Sequence, residues 1–184
     1  MSLELSEQEV FRRESLTRLR EMGIDPFPAA LYPVDAYSTD IKAEFKDEEP
    51  GKQVCVAGRI MSRRIMGKAS FMELMDSKGR IQIYVSRDDI NTDEQPEMYN
   101  TVFKKLLDIG DFIGVEGEII TTKTGEKTID VDKFTFLSKS LRPLPEKFHG
   151  ISDPELKLRK RYLDLIMSEE SRERFRKRTK IFCI

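Results

Sequence analysis

The chain has 184 residues, 39% of them apolar and 35% charged, which suits one ordinary domain with attachments and a well-solvated surface. No apolar run approaches the roughly 18 residues needed to span a membrane and no apolar signal region follows Met1, so a soluble, cytoplasmic chain is expected. The two cysteines, Cys55 and Cys183, and the single histidine, His149, fit neither a disulfide framework nor a metal knuckle, and a net charge of −1 hides strong segregation: −6 over residues 1–50, +6 over 51–87, −6 over 88–153 and +5 over 154–184.

Residues 6–22 read as a helix, with Ser6 and Glu9 as a capping box and Gly23 as a stop. Its apolar stripe, Phe11, Leu19 and Met22, is sparse and places the helix on a surface or a partner instead of in a core. Asp25-Pro26-Phe27-Pro28 forces extended backbone, and the acidic run Asp47-Glu48-Glu49 leads to Pro50-Gly51, which punctuates the start of a sheet. Residues 52–87 carry three alternating apolar runs separated by two short Gly-containing turns, a three-stranded meander. Met72 and Leu74 share one face, as do Ile81, Ile83 and Val85, while Phe71, Glu73, Arg80, Gln82 and Tyr84 point the other way. An outward phenylalanine beside arginines and an amide is a platform for an unstacked base, and the +6 block is the electrostatic footprint of a nucleic-acid surface. The bland counterpart is a solvated sheet face with Phe71 capping a barrel end.

Pro96 opens a helix to about Leu107, with Tyr99, Phe103, Leu106 and Leu107 on one stripe. Ile113, Val115 and Ile119 make a fourth strand, Thr124-Gly125 a turn, and residues 126–137 a fifth strand. The apolar parity of that strand switches between Ile129/Val131 and Phe134/Phe136, which predicts a bulge near Asp132-Lys133. Three strands, a helix and two strands is the order of a five-stranded OB-fold Greek-key barrel, so the fold class is mainly β with flanking N- and C-terminal helices. Leu141–Pro145 is an extended linker, residues 153–166 are helical, and Ser168 with Glu169 and Glu170 starts a further helix that carries Phe175, Ile181 and Phe182. With no stop signal after it, the chain reads as cut inside a longer protein. The expected organisation is a lead-in over 1–50, the barrel over 51–140, a linker over 141–152 and a helical segment over 153–184.

Three stretches carry a resemblance: Gly23-Ile24-Asp25-Pro26-Phe27-Pro28, residues 58–89 (GRIMSRRIMGKASFMELMDSKGRIQIYVSRDD) and residues 141–166 (LRPLPEKFHGISDPELKLRKRYLDLI). Together they resemble the N-terminal part of class II lysyl-tRNA synthetases, and the last stretch separates that family from the aspartyl and asparaginyl synthetases that share the barrel. The resemblance implies an anticodon-binding barrel ahead of a class II catalytic domain. The parent enzyme joins lysine to its tRNA using ATP and magnesium, and a homodimer is implied for it. The first class II motif, a long interface helix, would begin within 168–184, and the second and third are absent, so this chain is expected to catalyse nothing and to need no cofactor or metal.

The family's anticodon-contacting positions fall on Arg64, Phe71 and Gln82, with a U-rich anticodon as the implied partner. Phe71 supplies a π-face, Gln82 a donor and an acceptor that match uracil, and Arg64 a planar fork for a carbonyl or phosphate. Arg59, Arg63, Lys68, Tyr84, Glu116 and Glu118 are candidate secondary contacts. Arg64 carries a conflict: alternation from Val54, Val56 and Ile60 puts it on the core side, and Gly58 or a bulge must shift the phase, whereas Arg59 and Arg63 fit the outer face unaided. Two other readings stand beside anticodon recognition. One is a general single-strand-binding OB domain; the other is a dimerisation piece with no RNA role in isolation.

Overall fold

The computed structural model describes residues 5–45, 51–91, 96–145, 151 and 153–183. His149, the acidic run 47–49, Pro50 and Ile184 lie outside the described residues. The alternating runs form β1 (Gln53–Met66), β2 (Ala69–Met75), β3 (Arg80–Ser86), β4 (Phe112–Thr121) and β5 (Lys127–Ser138). Hydrogen bonding closes these strands in the order β1-β2-β3-β5-β4. Every pairing is antiparallel except the short one between β3 and β5. Closure removes the free sheet edges, and the inward residues of all five strands make one core, Val54, Val56, Met72, Leu74, Ile83, Val115 and Ile129 among them. Gly67, at φ +66°, permits the tight β1–β2 turn. Asp76 closes the β2–β3 turn by accepting from the N–H groups of Lys78 and Gly79. The bulge expected on β5 is present at Asp132, where the register passes from Gly117↔Val131 to Glu116↔Lys133.

Helices α1 (Glu7–Glu21) and α2 (Ser38–Glu44) precede the sheet, and between β3 and β4 lie the short helix α3 (Arg87–Ile90) and a helix over Met98–Leu106. The latter matches the expected position but is wound as a π-helix, with Leu107 N–H donating to the Val102 carbonyl at 3.1 Å. Tyr99, Val102, Phe103, Leu106 and Leu107 are all buried, and the rings of Tyr99 and Phe103 stack at 5.3 Å. Its C-terminal carbonyls are taken by cations from elsewhere. Arg63 donates to the carbonyls of Phe103 (3.2 Å) and Leu107 (2.6 Å), and Lys139 donates to that of Leu106 (2.9 Å). Positive charge belongs at a helix C-terminus, and here it ties the helix to β1 and to the end of β5.

Lys139 is the centre of a buried ionic cluster. Its ammonium contacts Asp108 Oδ2 at 2.5 Å and Asp111 Oδ2 at 2.8 Å, and both its side chain and that of Asp111 are fully buried. Asp111 also accepts from the backbone N–H groups of Asp108 (2.8 Å) and Ser140 (2.7 Å). Burial pushes the Asp111 carboxyl above its ordinary value, and the Lys139 charge opposes that shift.

The N-terminal helix α1 (Glu7–Glu21) carries the expected capping box, Ser6 accepting from Glu9 N–H and Glu9 accepting from Ser6 N–H. The expectation that it lies wholly outside a core is corrected: Arg12, Ser15 and Leu19 form a buried stripe, and Leu19 joins the main cluster. Arg12 reaches the carbonyls of Ser140 (2.9 Å) and Ile109 (3.0 Å) through its guanidinium, a docking device that apolar periodicity does not reveal. Phe11 and Met22 stay exposed. The lead-in then passes over β4, where the Tyr32 ring lies so close to Gly114 that a Cβ there would meet it at 2.2 Å. Helix α2 (Ser38–Glu44) was not foreseen. Its cap comes from afar, Asp76 accepting from both the N–H (2.6 Å) and the hydroxyl (2.8 Å) of Ser38.

Residues 1–143 and 144–184 form two compact units. In the second, the single helix expected over 153–166 is broken at Lys160 into α4 (Pro154–Arg159) and α5 (Arg161–Met167), followed by α6 (Glu169–Phe182) capped by Ser168. Among the described residues no helix is long and apolar enough to cross a membrane.

Replacing Lys139 by Met leaves Asp111 buried without its cation. The expected loss is about 3–5 kcal/mol of unfolding free energy near neutral pH, measured by urea denaturation. The deficit should shrink at acid pH, because a carboxyl whose pKa is raised in the folded state penalises folding only once it ionises.

Candidate nucleic-acid interface

The outer face of β1–β3 is shaped by one extra residue. Ile60 pairs with Leu74, but the next pair is Ser62 with Glu73, so Met61 is a bulge. Ile60 and Met61 are both buried, and from Ser62 onward the side-chain phase is reversed. The bulge is braced by the loop before β4: Ile60 N–H donates to the Asp111 carbonyl and Gly110 N–H donates to the Ile60 carbonyl, each at 2.8 Å. The phase shift that Arg64 requires therefore exists, and it lies at Met61. Gly58 is not its source, since the pairing of Gly58 with Ile113 sits within an unbroken register.

This shift sets the positions of Arg63 and Arg64, and Arg59 lies before it. Arg64 stands opposite Phe71 on the outer face and is exposed. Arg63 is turned the other way, so the expectation that it fits the outer face unaided is corrected; its guanidinium is spent on the π-helix carbonyls. Arg59 keeps its outward parity but folds back, donating to the Gly110 carbonyl at 2.9 Å with its guanidinium 4.2 Å from the centre of the Phe112 ring. Burial pushes both guanidinium groups below their ordinary value, opposed by Asp111 for Arg59 and by Asp108 and Asp111 for Arg63.

Arg64, Phe71 and Gln82 converge on one open cleft of about 840 Å³. Its floor is β1–β3, and its wall is the β4–β5 turn, Thr122–Glu126, with Lys42 of α2 beside it. Phe71 is steadied by Tyr84, ring centres 5.1 Å apart and tilted by 55°. Next to it on the floor, Glu73 is opposite Gln82 and is paired with Arg80 at 3.1 Å. Lys42 and Glu126 pair across the wall at 3.1 Å. Arg64 and Lys123 have no ion-pair partner among the described residues. A cleft with an aromatic floor, an amide and two such cations can hold a flat, hydrogen-bonding, negatively charged ligand.

The remaining candidates lie elsewhere. Lys68 is exposed in the β1–β2 turn, outside the residues that line the cleft. Glu116 pairs with Lys133 at 3.0 Å on the β4–β5 side of the ring, and Glu118 lies against Gly51. Neither glutamate lines the cleft. Beyond Tyr84 the surface turns acidic: burial, then Asp89, Asp132 and Glu118, push the Asp130 carboxyl above its ordinary value. Sequence reasoning missed Lys42, Lys123, Glu126 and Thr128. The first comes from the unforeseen α2, and the others belong to a turn and strand start whose local sequence carries no sign of what they face.

Residues 54–137 match the family model described as an OB-fold nucleic acid binding domain. The whole chain is similar to proteins named lysine–tRNA ligase: 56% identical to that of Porphyromonas gingivalis (strain ATCC BAA-308 / W83) over 98% of this chain and 33% of the relative. It is 54% identical to that of Azobacteroides pseudotrichonymphae genomovar. CFP2 over 97% of this chain and 37% of the relative. With the Streptococcus suis (strain 05ZYH33) protein the identity is 50%, over 97% and 36%. The chain thus spans about a third of the length of these relatives.

Arg63→Leu should lower stability by roughly 1.5–3 kcal/mol, because a charged donor to buried carbonyls is lost. Thermal unfolding measures it, and Arg64→Leu, at an exposed position, should by contrast change stability by no more than about 0.5 kcal/mol.

Proposed function

We propose that the chain recognises the anticodon of lysine tRNA, on the match of residues 54–137 to the OB-fold nucleic acid binding model and the similarity of nearly the whole chain to about a third of the length of lysine–tRNA ligases. The observation that carries the proposal is the convergence of Arg64, Phe71 and Gln82 on a single cleft, which the Met61 bulge makes possible. Each side chain has a separate task. Phe71 stacks a base splayed from the loop, Gln82 reads its hydrogen-bonding edge, and Arg64 donates to a base carbonyl or a phosphate. Lys123 and Lys42 border the same cleft on the side of the β4–β5 turn, where cations hold the backbone in place and add affinity without reading sequence. A U-rich anticodon is the partner this edge chemistry favours.

The same reading assigns the longer protein the joining of lysine to its tRNA with ATP, in the cytoplasm and as a homodimer. ATP and magnesium belong to this proposal only for the longer protein. Among the described residues no three His, Cys, Asp or Glu side chains are grouped so as to hold a metal ion. On α6, Ile181 and Phe182 are exposed, apolar surface of the kind a second copy would cover.

The decisive experiment compares an RNA stem-loop bearing a U-rich loop with one of scrambled loop sequence at equal salt. Tighter binding of the U-rich loop is expected, and equal binding would replace anticodon recognition by general single-strand binding. Phe71→Ala should weaken binding of the U-rich loop by about 1–3 kcal/mol while the circular dichroism spectrum stays unchanged. Arg64→Gln should reduce the slope of log K against log salt if its guanidinium holds phosphate.

A further inference from the structure

Gln82 lies on the cleft floor with its amide held from behind. Thr128 of β5 stands opposite it in the parallel pairing with β3 and is fully buried. The Thr128 hydroxyl donates to Gln82 Oε1 at 2.8 Å, and its other acceptor in reach, the Glu126 carbonyl, is at 3.3 Å. A hydroxyl has one proton, and the shorter contact claims the larger share of it. Turned by half a rotation, the amide would donate Nε2–H to the same hydroxyl and leave the hydroxyl proton only the longer 3.3 Å contact, so the arrangement with Gln82 Oε1 toward β5 is the favoured one. What the planar amide has left for the cleft is Nε2, with its two N–H groups.

We propose that Thr128 is a positioning residue that fixes the Gln82 amide as a hydrogen-bond donor into the cleft, so that the base stacked on Phe71 is selected for a carbonyl edge, uracil over cytosine. The inference rests on reading the cleft as a base site. Uracil offers O4 where cytosine carries an amino group, and a donor facing a donor leaves both without a partner in a partly dehydrated site. Without the hydroxyl, the amide is free to turn by half a rotation and offer its carbonyl to that amino group. Loss of Thr128 should therefore leave binding largely in place and erase the choice between the two pyrimidines. Loss of Gln82 would also remove an edge contact, so the two variants are separable.

The test uses the whole 184-residue chain and RNA stem-loops with a U-rich loop in which each U is replaced singly by C. At one loop position the unmodified protein should prefer U by about tenfold, the equivalent of about 1.4 kcal/mol. Thr128→Val should bring that ratio to within about twofold, and Thr128→Ser, which restores the hydroxyl, should return it. In a Gln82→Leu background Thr128→Val should change the ratio no further. Retention of the preference by a folded Thr128→Val protein overturns the proposal, as does its loss in a folded Thr128→Ser protein. Should valine impair folding, as judged by the melting curve, Thr128→Ala is read in its place. If the unmodified protein prefers the U-rich loop over the scrambled one but shows no U-over-C preference at any single position, this inference fails while anticodon recognition stands. If it does not distinguish the two loops at all, the reading of the cleft has failed first.

Discussion

The bulge at Met61 is the constraint on which the outer face of β1–β3 depends. A strand alternates with period two, so one inserted residue exchanges inside and outside for everything that follows. Here it sends Arg64 outward beside Phe71 and Arg63 inward to the π-helix. The bulge cannot relax by itself, because both backbone groups of Ile60 are held by the Gly110–Asp111 segment. Asp111 is held in turn by Lys139 and by the backbone of Asp108 and Ser140. A chain of backbone and ionic contacts thus runs from the buried charge cluster to the orientation of one exposed guanidinium. Bulges at recognition sites serve to re-aim side chains, and this one also draws the helix closing the barrel onto the strand that carries the site.

The basic block of residues 51–87 acquires a different meaning once its charges are placed. Of its cations, Arg59 and Arg63 serve buried carbonyls. Arg80 pairs with Glu73, Lys78 with Asp40 and Arg87 with Asp88. Five of its eight cations thus hold turns, strands and helix ends together. The cleft draws its remaining positive charge from Arg64 and, outside that block, from Lys123, while Lys42 is paired with Glu126. Local composition therefore points to a surface whose cations are mostly engaged within the protein. Beyond Tyr84, Asp89, Asp132 and Glu118 lie close enough to Asp130 to push its carboxyl up, so acidic groups border the sheet on that side.

The barrel was legible because it depends on strict local rules. Period-two alternation set the faces of β2 and β3, Ser6 and Glu9 announced α1, and the parity switch before Phe134 marked the bulge at Asp132. Phe71 and Gln82 followed from the same alternation. Features supplied by distant partners were not legible. The cap of α2 is Asp76, in a turn of the meander; the docking of α1 depends on Arg12, a residue whose charge argues for solvent; and the π-winding of Met98–Leu106 accompanies carbonyls taken by Arg63 and Lys139. The Met61 bulge fell between these classes. Alternation demanded a phase shift if Arg64 was to face outward, but Gly58, the residue with the conventional signature of irregularity, lies in regular pairing. Ile60 and Met61 are both apolar and both buried, so nothing in their chemistry distinguishes the inserted residue from its neighbour.

The cleft combines groups of two kinds of rigidity, and the division suits recognition of a flexible loop. Phe71, Tyr84, Gln82 and Thr128 sit on strands in continuous register, their positions held by the ring of the barrel. Lys42 and Lys123 lie on a short helix and a turn, on long side chains that can follow a backbone of variable path. Selecting between bases requires angular precision, because one misdirected donor removes the discrimination, and strands provide it. Holding phosphate requires only charge at the right distance. On the proposed reading, groups that read bases sit on the sheet and cationic groups at its border, which is what the two tasks demand, and the Thr128 hydroxyl bonded to Gln82 would extend the rigid part of the site from the backbone to an amide.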